Sequence, residues 1–483
     1  MAYNHGIRVN EVPTQVARPL RGTAGLQVVF GIAPVNLAAN PKAVTNKVIL
    51  CESFEEASRV LGYSDDFKNY TLCQAMYASF KLMRVAPVIF VNVLDPTKHK
   101  KPVAEVSLTV TNKQAVLDDI GVLLESVVVK NNTTALTKGT DYIIAFNADG
   151  KVVITLLPGG SAYAVTSLKV SAERLDPTMV TEAELIGGYD AGTGKYSGIE
   201  LVKQVFPKFS MAPGILSAPG WSHSATVAAV LQSKCEKING KFSCMTLLDI
   251  PATTVTKHTD VERAKATLGA ISKFAIALWP MAKHAGKVLA YSAVYGALCA
   301  RLDAENGDVP SVYPSNKVLG IDSACLADGS EMLLDEEDGN SLNGAGVVTI
   351  INQVGIRAWG NNTAAYPATK DPKDRWIAIR RCFSWYGNSF IIRFLDNVDD
   401  PANYRLVEHF IDNENINGNT LVADGKFAGV KFEFIKEDNP VSKIMDGEIN
   451  FRERIAPYTP AEYIVNTISF DPRMIMDALG GGE

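Results

Sequence analysis

The alternation of strands and helices is clearest in residues 215–250, which read ILSAPGWSHSATVAAVLQSKCEKINGKFSCMTLLDI. The apolar run at the start of this stretch ends at Pro219-Gly220, as a buried strand would, and residues 222–239 have the spacing of an amphipathic helix. A second apolar run follows at 242–250. Strand, helix and strand in this order predict two parallel strands joined by a covering helix.

The same pattern extends from this stretch in both directions along the chain. Ser53, followed three residues later by Glu56, predicts a capped helix start. We therefore expect an α/β core, a parallel-type sheet with helices on both faces, built from residues 22–101 and 181–365. Further strands are predicted at 26–32, 47–51, 88–94 and 274–279, and further helices at 53–62, 70–83, 260–272 and 286–302.

Residues 102–180 interrupt the α/β pattern. They contain short, β-prone runs, and Asn147-Ala148-Asp149-Gly150 is a turn signal between two of them. Because helical spacing is missing here and returns afterwards, we predict an inserted all-β, sandwich-like domain. The predicted strands lie at 103–111, 126–130, 141–146 and 151–157, with a last one around Lys169.

The pattern changes again near residue 366. Two helices are predicted at 372–394 and 401–415, followed by strands at 427–435 and 448–455. This succession predicts a C-terminal α+β domain over residues 366–456.

Each end of the chain carries a strand signal with no hairpin partner beside it. One is Ile7–Val12 in an N-terminal arm, residues 1–21, and the other is 463–470 in a C-terminal arm, residues 457–483. An isolated strand cannot satisfy its own backbone N–H and C=O groups. Each arm strand must therefore pair with a distant part of the chain or with another chain.

Composition excludes several classes of protein. The chain has 47 Lys and Arg against 52 Asp and Glu, a net charge of −5, so it lacks the basic excess of a general nucleic-acid binder. No apolar run reaches the ~18 residues that a membrane helix needs. Seven cysteines without a CxxC pair predict buried, reduced thiols, as in a cytosolic protein.

The glycine-rich stretch 187–198 was tested as a nucleotide site. A phosphate loop would need Gly at position 189, which is Tyr, and Ser or Thr after Lys195, where Tyr196 stands. A surface turn is favoured, and a nucleotide-binding α/β enzyme that uses this loop stays as the alternative function. We expect no catalytic residue, cofactor or metal ion, because no G-x-S-x-G elbow and no His-x-x-x-His pair occurs and Ser222 fits a helix cap.

The densest basic cluster is KDRWIAIRR at residues 373–381, which ends in Arg380-Arg381. One interpretation is a solvated helix face with mixed acidic partners. The other is an electrostatic contact with an acidic partner protein, since a cationic and aromatic helix face suits an interface. The sequence leaves both open.

Several short motifs occur in order along nearly the whole chain outside 103–180. They are HGIRVNEV at 5–12, DAGTGKYSG at 190–198 with PGILSAPG at 213–220, LLDIP at 247–251, YPS at 313–315 with LGI at 319–321, WGNNT at 359–363, IAIRR at 377–381 and APYTPAE at 456–462. This series resembles the contractile-tail sheath proteins of bacteriophages and of related phage-tail-like bacteriocins. One departure is Asn362, which stands where that family usually has the arginine of W-G-x-R-T.

The resemblance implies a structural subunit without catalysis. Such subunits form stacked hexameric rings, a helical sleeve around an inner tube, and contract from a metastable extended state to drive the tube through a bacterial envelope. The implied partners are further copies of the chain, the tube protein, and the baseplate and tail terminator proteins, without direct nucleic-acid contact or membrane insertion. The particle, a phage tail or a headless bacteriocin, would assemble in the host cytoplasm.

The resemblance also implies roles for particular residues. The arms would link neighbouring subunits by strand addition, the C-terminal domain would face the tube, and the inserted β domain would face outward. The arm strands are Ile7, Arg8, Val9, Asn10, Glu11, Val12 and Tyr463, Ile464, Val465, Asn466, Thr467, Ile468, and the tube-contact candidates are Lys373, Arg375, Arg380, Arg381 and Arg405. A cytosolic filament or scaffold unrelated to phages would differ only in its partners.

Overall fold

The computed structural model describes residues 20–479. Its largest sheet has eight strands, of which the six inner ones are parallel and the two edge strands antiparallel. Consecutive residues such as Val28, Val29 and Phe30 are fully buried, so both faces of the sheet are covered. From edge to edge the strands are Ile356–Trp359, Val347–Asn352, Ala275–Leu278, Met245–Asp249, Ile215–Ser217, Gln27–Gly31, Val88–Asn92 and Val48–Cys51.

Helices connect and cover these strands. The helix Phe54–Leu61 has the predicted capped start, because Ser53 Oγ accepts a hydrogen bond from the Glu56 N–H at 3.1 Å. The helix Tyr291–Glu305 begins later than predicted. The other helices of this part are Leu72–Met76, which continues as the π-helix Tyr77–Leu82, and Glu182–Ile186, Val205–Phe209, Ala225–Lys234, Val261–Leu268 and Glu336–Gly344.

Smaller sheets surround the large one. Lys287–Leu289, predicted as helix, is a strand that pairs with Met281–His284, and this pairing explains the late start of the following helix. Ser323–Cys325 and Glu331–Met332 complete that four-stranded sheet. Two further pairs are Leu20–Arg21 with Val85–Ala86, and Gly188–Asp190 with Lys195–Ser197.

The segment between the two parts of the large sheet is a β structure with its own apolar core. Three strands form one sheet and four form another, and Leu117, Val129, Ile154 and Val170 are buried between neighbours from both. The strands are Lys100–Thr109, Gln114–Ile120, Val128–Asn131, Thr134–Ala135, Tyr142–Phe146, Lys151–Leu156 and Ser167–Leu175.

The C-terminal part combines helices with one hairpin. The helix predicted at 372–394 is two helices, Pro372–Arg375 and Ile377–Arg393, because the backbone of Trp376 is extended (φ −84°, ψ 124°). The helix predicted at 401–415 is Tyr404–Ala423. The hairpin pairs Phe427–Phe434 with Phe451–Pro457, and a short helix, Val441–Met445, lies between its strands.

The last described residues carry little regular structure. Residues 458–471 form neither helix nor strand, and the helix Pro472–Ala478 follows them. The strand predicted at 463–470 is therefore not formed within one chain. The predicted N-terminal arm strand, Ile7–Val12, lies outside the described residues.

All seven cysteines are buried, as the sequence predicts. None of the helices between residues 20 and 479 combines the length and the apolar character that crossing a bilayer requires.

Candidate assembly surfaces

The base of the C-terminal tail, residues 458–479, is fastened to the α/β core. The Tyr313 hydroxyl donates a hydrogen bond of 2.7 Å to the backbone oxygen of Tyr458. The carboxylate of Glu462 accepts from Arg375 Nη2 and from Asn361 Nδ2, each at 3.4 Å. The tail is therefore held over its first five residues.

Beyond Glu462 the tail is exposed. Tyr463 is 88% exposed, Ile464 82% and Ile468 86%. The backbone of residues 463–470 makes no hydrogen bond to any other residue within 20–479. An extended apolar segment with open N–H and C=O groups has what strand addition to another chain requires.

The tail leaves the body through a groove of about 620 Å³. Arg375 is held at its wall, because its guanidinium stacks on Trp376 and Tyr366, at 3.9 and 4.5 Å from the ring centres, and donates to Asn362 Oδ1 at 2.8 Å. These contacts aim one edge of the guanidinium at Glu462. The groove residues are Tyr313, Ser315, Asn316, Glu336, Asn340, Asn343, Gly344, Trp359, Asn361, Asn362, Tyr366, Arg375 and Pro460–Ile464.

Three of the sequence motifs meet in this groove, namely YPS at 313–315, WGNNT at 359–363 and the end of APYTPAE at 456–462. The family usually has an arginine at the position of Asn362. In this chain the guanidinium at that place is supplied by Arg375. The resemblance implied a tube contact for Arg375. The bond from Arg375 to Glu462, a residue of the APYTPAE motif, was not predicted.

The first described residues are fastened close to the same place. Asp308 Oδ1 accepts from the N–H groups of Thr23 and Ala24 at 2.6 and 2.7 Å, and Asp308 Oδ2 accepts from Thr23 Oγ1 at 2.5 Å. Asp308 and Tyr313 are five residues apart, so their Cα atoms lie within about 18 Å of each other. Nothing local in the sequence predicted this contact.

The two arginines of the basic cluster are buried, which corrects the prediction for Arg380 and Arg381. Both Arg381 and Asp303 are buried, and the two form a bidentate ion pair, with Nη1 3.1 Å from Oδ1. Burial alone would lower the pKa of the Arg381 guanidinium, but the Asp303 carboxylate outweighs burial and raises it. Arg381 is therefore no surface charge.

Arg380 is likewise mostly buried, with its guanidinium 5.0 Å from the ring centre of Phe274 and 3.3 Å from Asp374. Neither the solvated face nor the partner contact predicted for it fits this position. Lys373 also pairs with Asp374, at 2.6 Å, and Arg405 is exposed. Of the five tube-contact candidates, Lys373 and Arg405 keep surface positions that a partner could reach.

The helix Ile377–Arg393 is fastened to the core at a second point. Asn388 Nδ2 donates to the backbone oxygen of Ser243 at 2.7 Å, and Asn388 Oδ1 accepts from the Ser243 N–H at 3.0 Å. Together with the Arg381–Asp303 pair, this bond fixes the helix against the α/β core over two turns.

Two glutamates, one fully buried and one half-buried, lie where this helix meets the next helix and the hairpin. Glu414 is fully buried and accepts hydrogen bonds from the Tyr386 hydroxyl, at 3.0 Å, and from Arg393. Glu453 belongs to the hairpin, and burial, with a smaller contribution from Glu414, raises its pKa from 4.5 to about 7.

The glycine-rich stretch 187–198 is a hairpin at the surface. The Asp190 carboxylate accepts from the Gly192 N–H at 2.8 Å and from Thr193 Oγ1 at 2.6 Å. A phosphate loop offers such donors to an anion. Here a carboxylate of the chain occupies them and adds negative charge, so the loop does not suit a nucleotide.

Ser222 is not the predicted helix cap, because the helix begins at Ala225. Its hydroxyl donates to Asp249 at 2.9 Å, and Ser292 donates to the same carboxylate at 2.5 Å through Oγ and at 2.8 Å through N–H. Burial raises the pKa of Asp249, while these hydrogen bonds oppose the shift. The cluster ties the end of a central strand to the helix Tyr291–Glu305. In the part of the chain that is described, no group of three or more His, Cys, Asp or Glu side chains could hold a metal ion.

Comparison with known proteins identifies relatives by sequence. The tail sheath protein of Burkholderia phage BcepMu is 24% identical to the chain, over 99% of both sequences. A putative prophage major tail sheath protein of Pseudomonas aeruginosa is 28% identical, over 69% of this chain and 84% of the relative. The tail sheath protein of Escherichia phage P2 is 24% identical, over 58% and 69%. No protein-family model matches the chain.

Solved structures with a similar fold come from contractile injection systems. The sheath complex of the extracellular contractile injection system PVC, in its contracted state, superposes with a TM-score of 0.57 at 15% identity, over 98% of this chain and 99% of that one. A chain of the anti-feeding prophage baseplate superposes with a TM-score of 0.59 at 13% identity, over 98% and 100%.

The fold of the chain, a mixture of sheets and helices, is the fold of these proteins of contractile injection systems. The similarity of the chain in sequence to tail sheath proteins, end to end in one case, makes it a homologue of these proteins and confirms the resemblance drawn from its motifs. Tail sheath proteins are structural proteins and not enzymes, so the nucleotide-binding alternative is not favoured.

Proposed function

We propose that the chain is the subunit of a contractile tail sheath and polymerises as stacked hexameric rings into a helical sleeve around an inner tube. The observation that carries the proposal is the exposed segment 463–470, which presents apolar side chains and an open backbone. A strand that is completed only by a neighbouring copy makes a head-to-tail contact. Such contacts do not close on themselves, so they propagate along an axis.

In this proposal both arms add strands to neighbouring subunits, through Ile7–Val12 at one end and Tyr463–Ile468 at the other. The acceptor is the hairpin of Phe427–Phe434 and Phe451–Pro457 in the next copy. A two-stranded sheet is smaller than those that are usually stable by themselves, and its outer edges can take further strands.

The C-terminal part, residues 366–456, faces the inner tube in this arrangement, and the β structure of residues 102–180 faces outward. Lys373 and Arg405 are the candidates for tube contact that keep surface positions. The other partners are the baseplate and tail terminator proteins, and the particle assembles in the cytoplasm of the bacterial host.

In this proposal, contraction moves the folded part of each subunit relative to its neighbours while the pairing of the arm strands persists. The Arg381–Asp303 pair and the Asn388–Ser243 bonds join the C-terminal helix to the α/β core, which supports motion of the two as one body. Pairing that persists in the arms then allows rotation without loss of contact. The extended sleeve is a trapped state that the baseplate releases.

A proline in the C-terminal arm tests the strand addition. Asn466→Pro removes one backbone N–H from the proposed strand, whereas the matched control Asn466→Ala shortens the same side chain and keeps the N–H. Because residue 466 is exposed, both proteins should fold alike. We expect hollow striated sleeves from wild type and Asn466→Ala in electron micrographs, and only soluble subunits from Asn466→Pro. Deletion of residues 1–21 should have the same effect as the proline, and normal sleeves from both altered proteins would refute strand exchange.

A further inference from the structure

One short segment of the chain, residues 303–316, contacts parts that are far apart in sequence. This anchor segment is the end of the helix Tyr291–Glu305 and the loop after it. Asp303 pairs with Arg381 of the C-terminal helix, and Val309 is buried in the small apolar cluster of the C-terminal part. Ser315 Oγ accepts from the Gly360 N–H at 3.0 Å, which ties the loop to an edge strand of the large sheet.

The same segment binds the chain next to both arms. The inner end of the N-terminal arm, Leu20–Arg21, pairs with Val85–Ala86, and the anchor segment binds the residues that follow it. Asp308 accepts three hydrogen bonds from Thr23 and Ala24, just after the N-terminal arm, and Tyr313 donates to Tyr458 at the start of the C-terminal tail. These bonds span 285 and 145 residues of sequence, respectively. The two residues that make these bonds, Asp308 and Tyr313, have Cα atoms within about 18 Å of each other along this loop.

We propose that residues 303–316 are a common anchor for the two arms of one subunit, with Asp308 and Tyr313 as its positioning residues. This inference rests on the proposed function of the arms in linking subunits. A pull on one arm reaches the other through a segment that the buried Arg381–Asp303 pair fixes to the body. The movable part of the C-terminal arm then begins at Tyr463, after the Arg375–Glu462 contact, and not at Pro457 or Pro460 as its prolines would suggest.

Three single substitutions separate the anchor from the rest of the fold. Tyr313→Phe removes only the hydroxyl that binds the tail. Asp308→Gly removes the carboxylate, and glycine suits the left-handed backbone at this position (φ 64°). The matched control is Tyr63→Phe, which removes a hydroxyl bond of the same 2.7 Å length, to Asp65, and leaves the bonds of Asp308 and Tyr313 in place.

Hydrogen exchange of the unassembled full chain gives the first readout. We expect exchange at least fivefold faster at the N–H groups of Thr23 and Ala24 in Asp308→Gly, as for the loss of one or more net hydrogen bonds. Tyr458 is bound through its carbonyl oxygen, so the readout for Tyr313→Phe is limited proteolysis, with cleavage of residues 458–462 about fivefold faster. Tyr63→Phe should change neither region. Glu462→Gln, at an exposed position, should loosen residues 458–462 without any change in melting temperature.

The yield of sleeves gives the second readout. Tyr313→Phe and Asp308→Gly should lower it at least fivefold while Tyr63→Phe assembles normally. Unchanged exchange at residues 23–24 together with unchanged cleavage of residues 458–462 would overturn the anchor. Faster exchange and cleavage with a normal yield of sleeves would overturn it as well. Neither result depends on Asn466→Pro and the deletion of residues 1–21, whose normal assembly would together refute the arm exchange itself.

Discussion

Replacing Arg381 by methionine would remove one partner of the most deeply buried ion pair described above. Asp303 and Arg381 are both enclosed, and the guanidinium is the only cation that contacts the Asp303 carboxylate among the described residues. Methionine keeps much of the length and apolar bulk of the side chain. The substitution therefore isolates the loss of charge from the loss of volume.

The expected destabilisation is about 3–5 kcal/mol, the usual effect of leaving a buried charge without its partner. Unfolding entropy of about 2.1 cal/mol/K per residue means that 1 kcal/mol shifts the melting temperature of a chain of this length by roughly 1 °C, if it unfolds as one unit. Arg381→Met should thus melt about 3–5 °C lower than wild type. Arg405→Met, at an exposed position of the neighbouring helix, should stay within about 0.5 °C.

The pH dependence of this difference tests the cause. Without its cation, buried Asp303 has a pKa well above its ordinary value, since burial already raises it in the native protein. A group with a raised folded pKa stabilises at low pH and loses that contribution as the pH rises. Differential scanning fluorimetry should therefore show the deficit of Arg381→Met shrinking between pH 7.5 and pH 5. A deficit equal to that of Arg405→Met, or one independent of pH, would refute the reasoning.

Two further substitutions probe the C-terminal part. Gly418→Ala would place a Cβ 2.5 Å from Val430 Cγ1, so it should lower the melting temperature by about 1–3 °C. Gly387 is a helical glycine with open space around it, so Gly387→Ala should raise the melting temperature slightly. Equal shifts in the two proteins would contradict the close packing at Gly418. Glu453→Gln should be neutral at pH 5 and gain stability towards pH 8, by about 1–2 kcal/mol after allowance for partial exposure. The reason is that the folded pKa of about 7 exceeds the ordinary 4.5, so the native carboxyl loses its contribution over this range. A constant difference in melting temperature across these pH values would count against the raised pKa that burial and Glu414 give Glu453.

Much of the core could be predicted from the chain as written. Strands buried on both faces must be almost wholly apolar. The apolar runs at 26–32, 88–94 and 242–250 therefore indicated buried strands, which the structure has there. The helix start at Ser53 was equally readable, because a cap is a contact over three residues. The late start of the helix at Tyr291 was not, since residues 287–289 joined a strand partner that the local pattern does not reveal.

The candidate assembly residues also divide into those that the sequence predicts and those that only the fold reveals. Arg380-Arg381 looked like surface charge because the periodicity of one helix does not tell what packs against it, and the buried partner of Arg381 lies 78 residues away. The exposed tail, by contrast, was indicated as a strand without a partner. The sequence by itself determined most strands and helices of the core, since these depend on neighbouring residues, and which segments lacked a local partner. Only the tertiary structure decided that Asp308 and Tyr313 hold both ends of the chain, because contacts over 285 and 145 residues arise from the packing of the whole chain and leave no periodic trace.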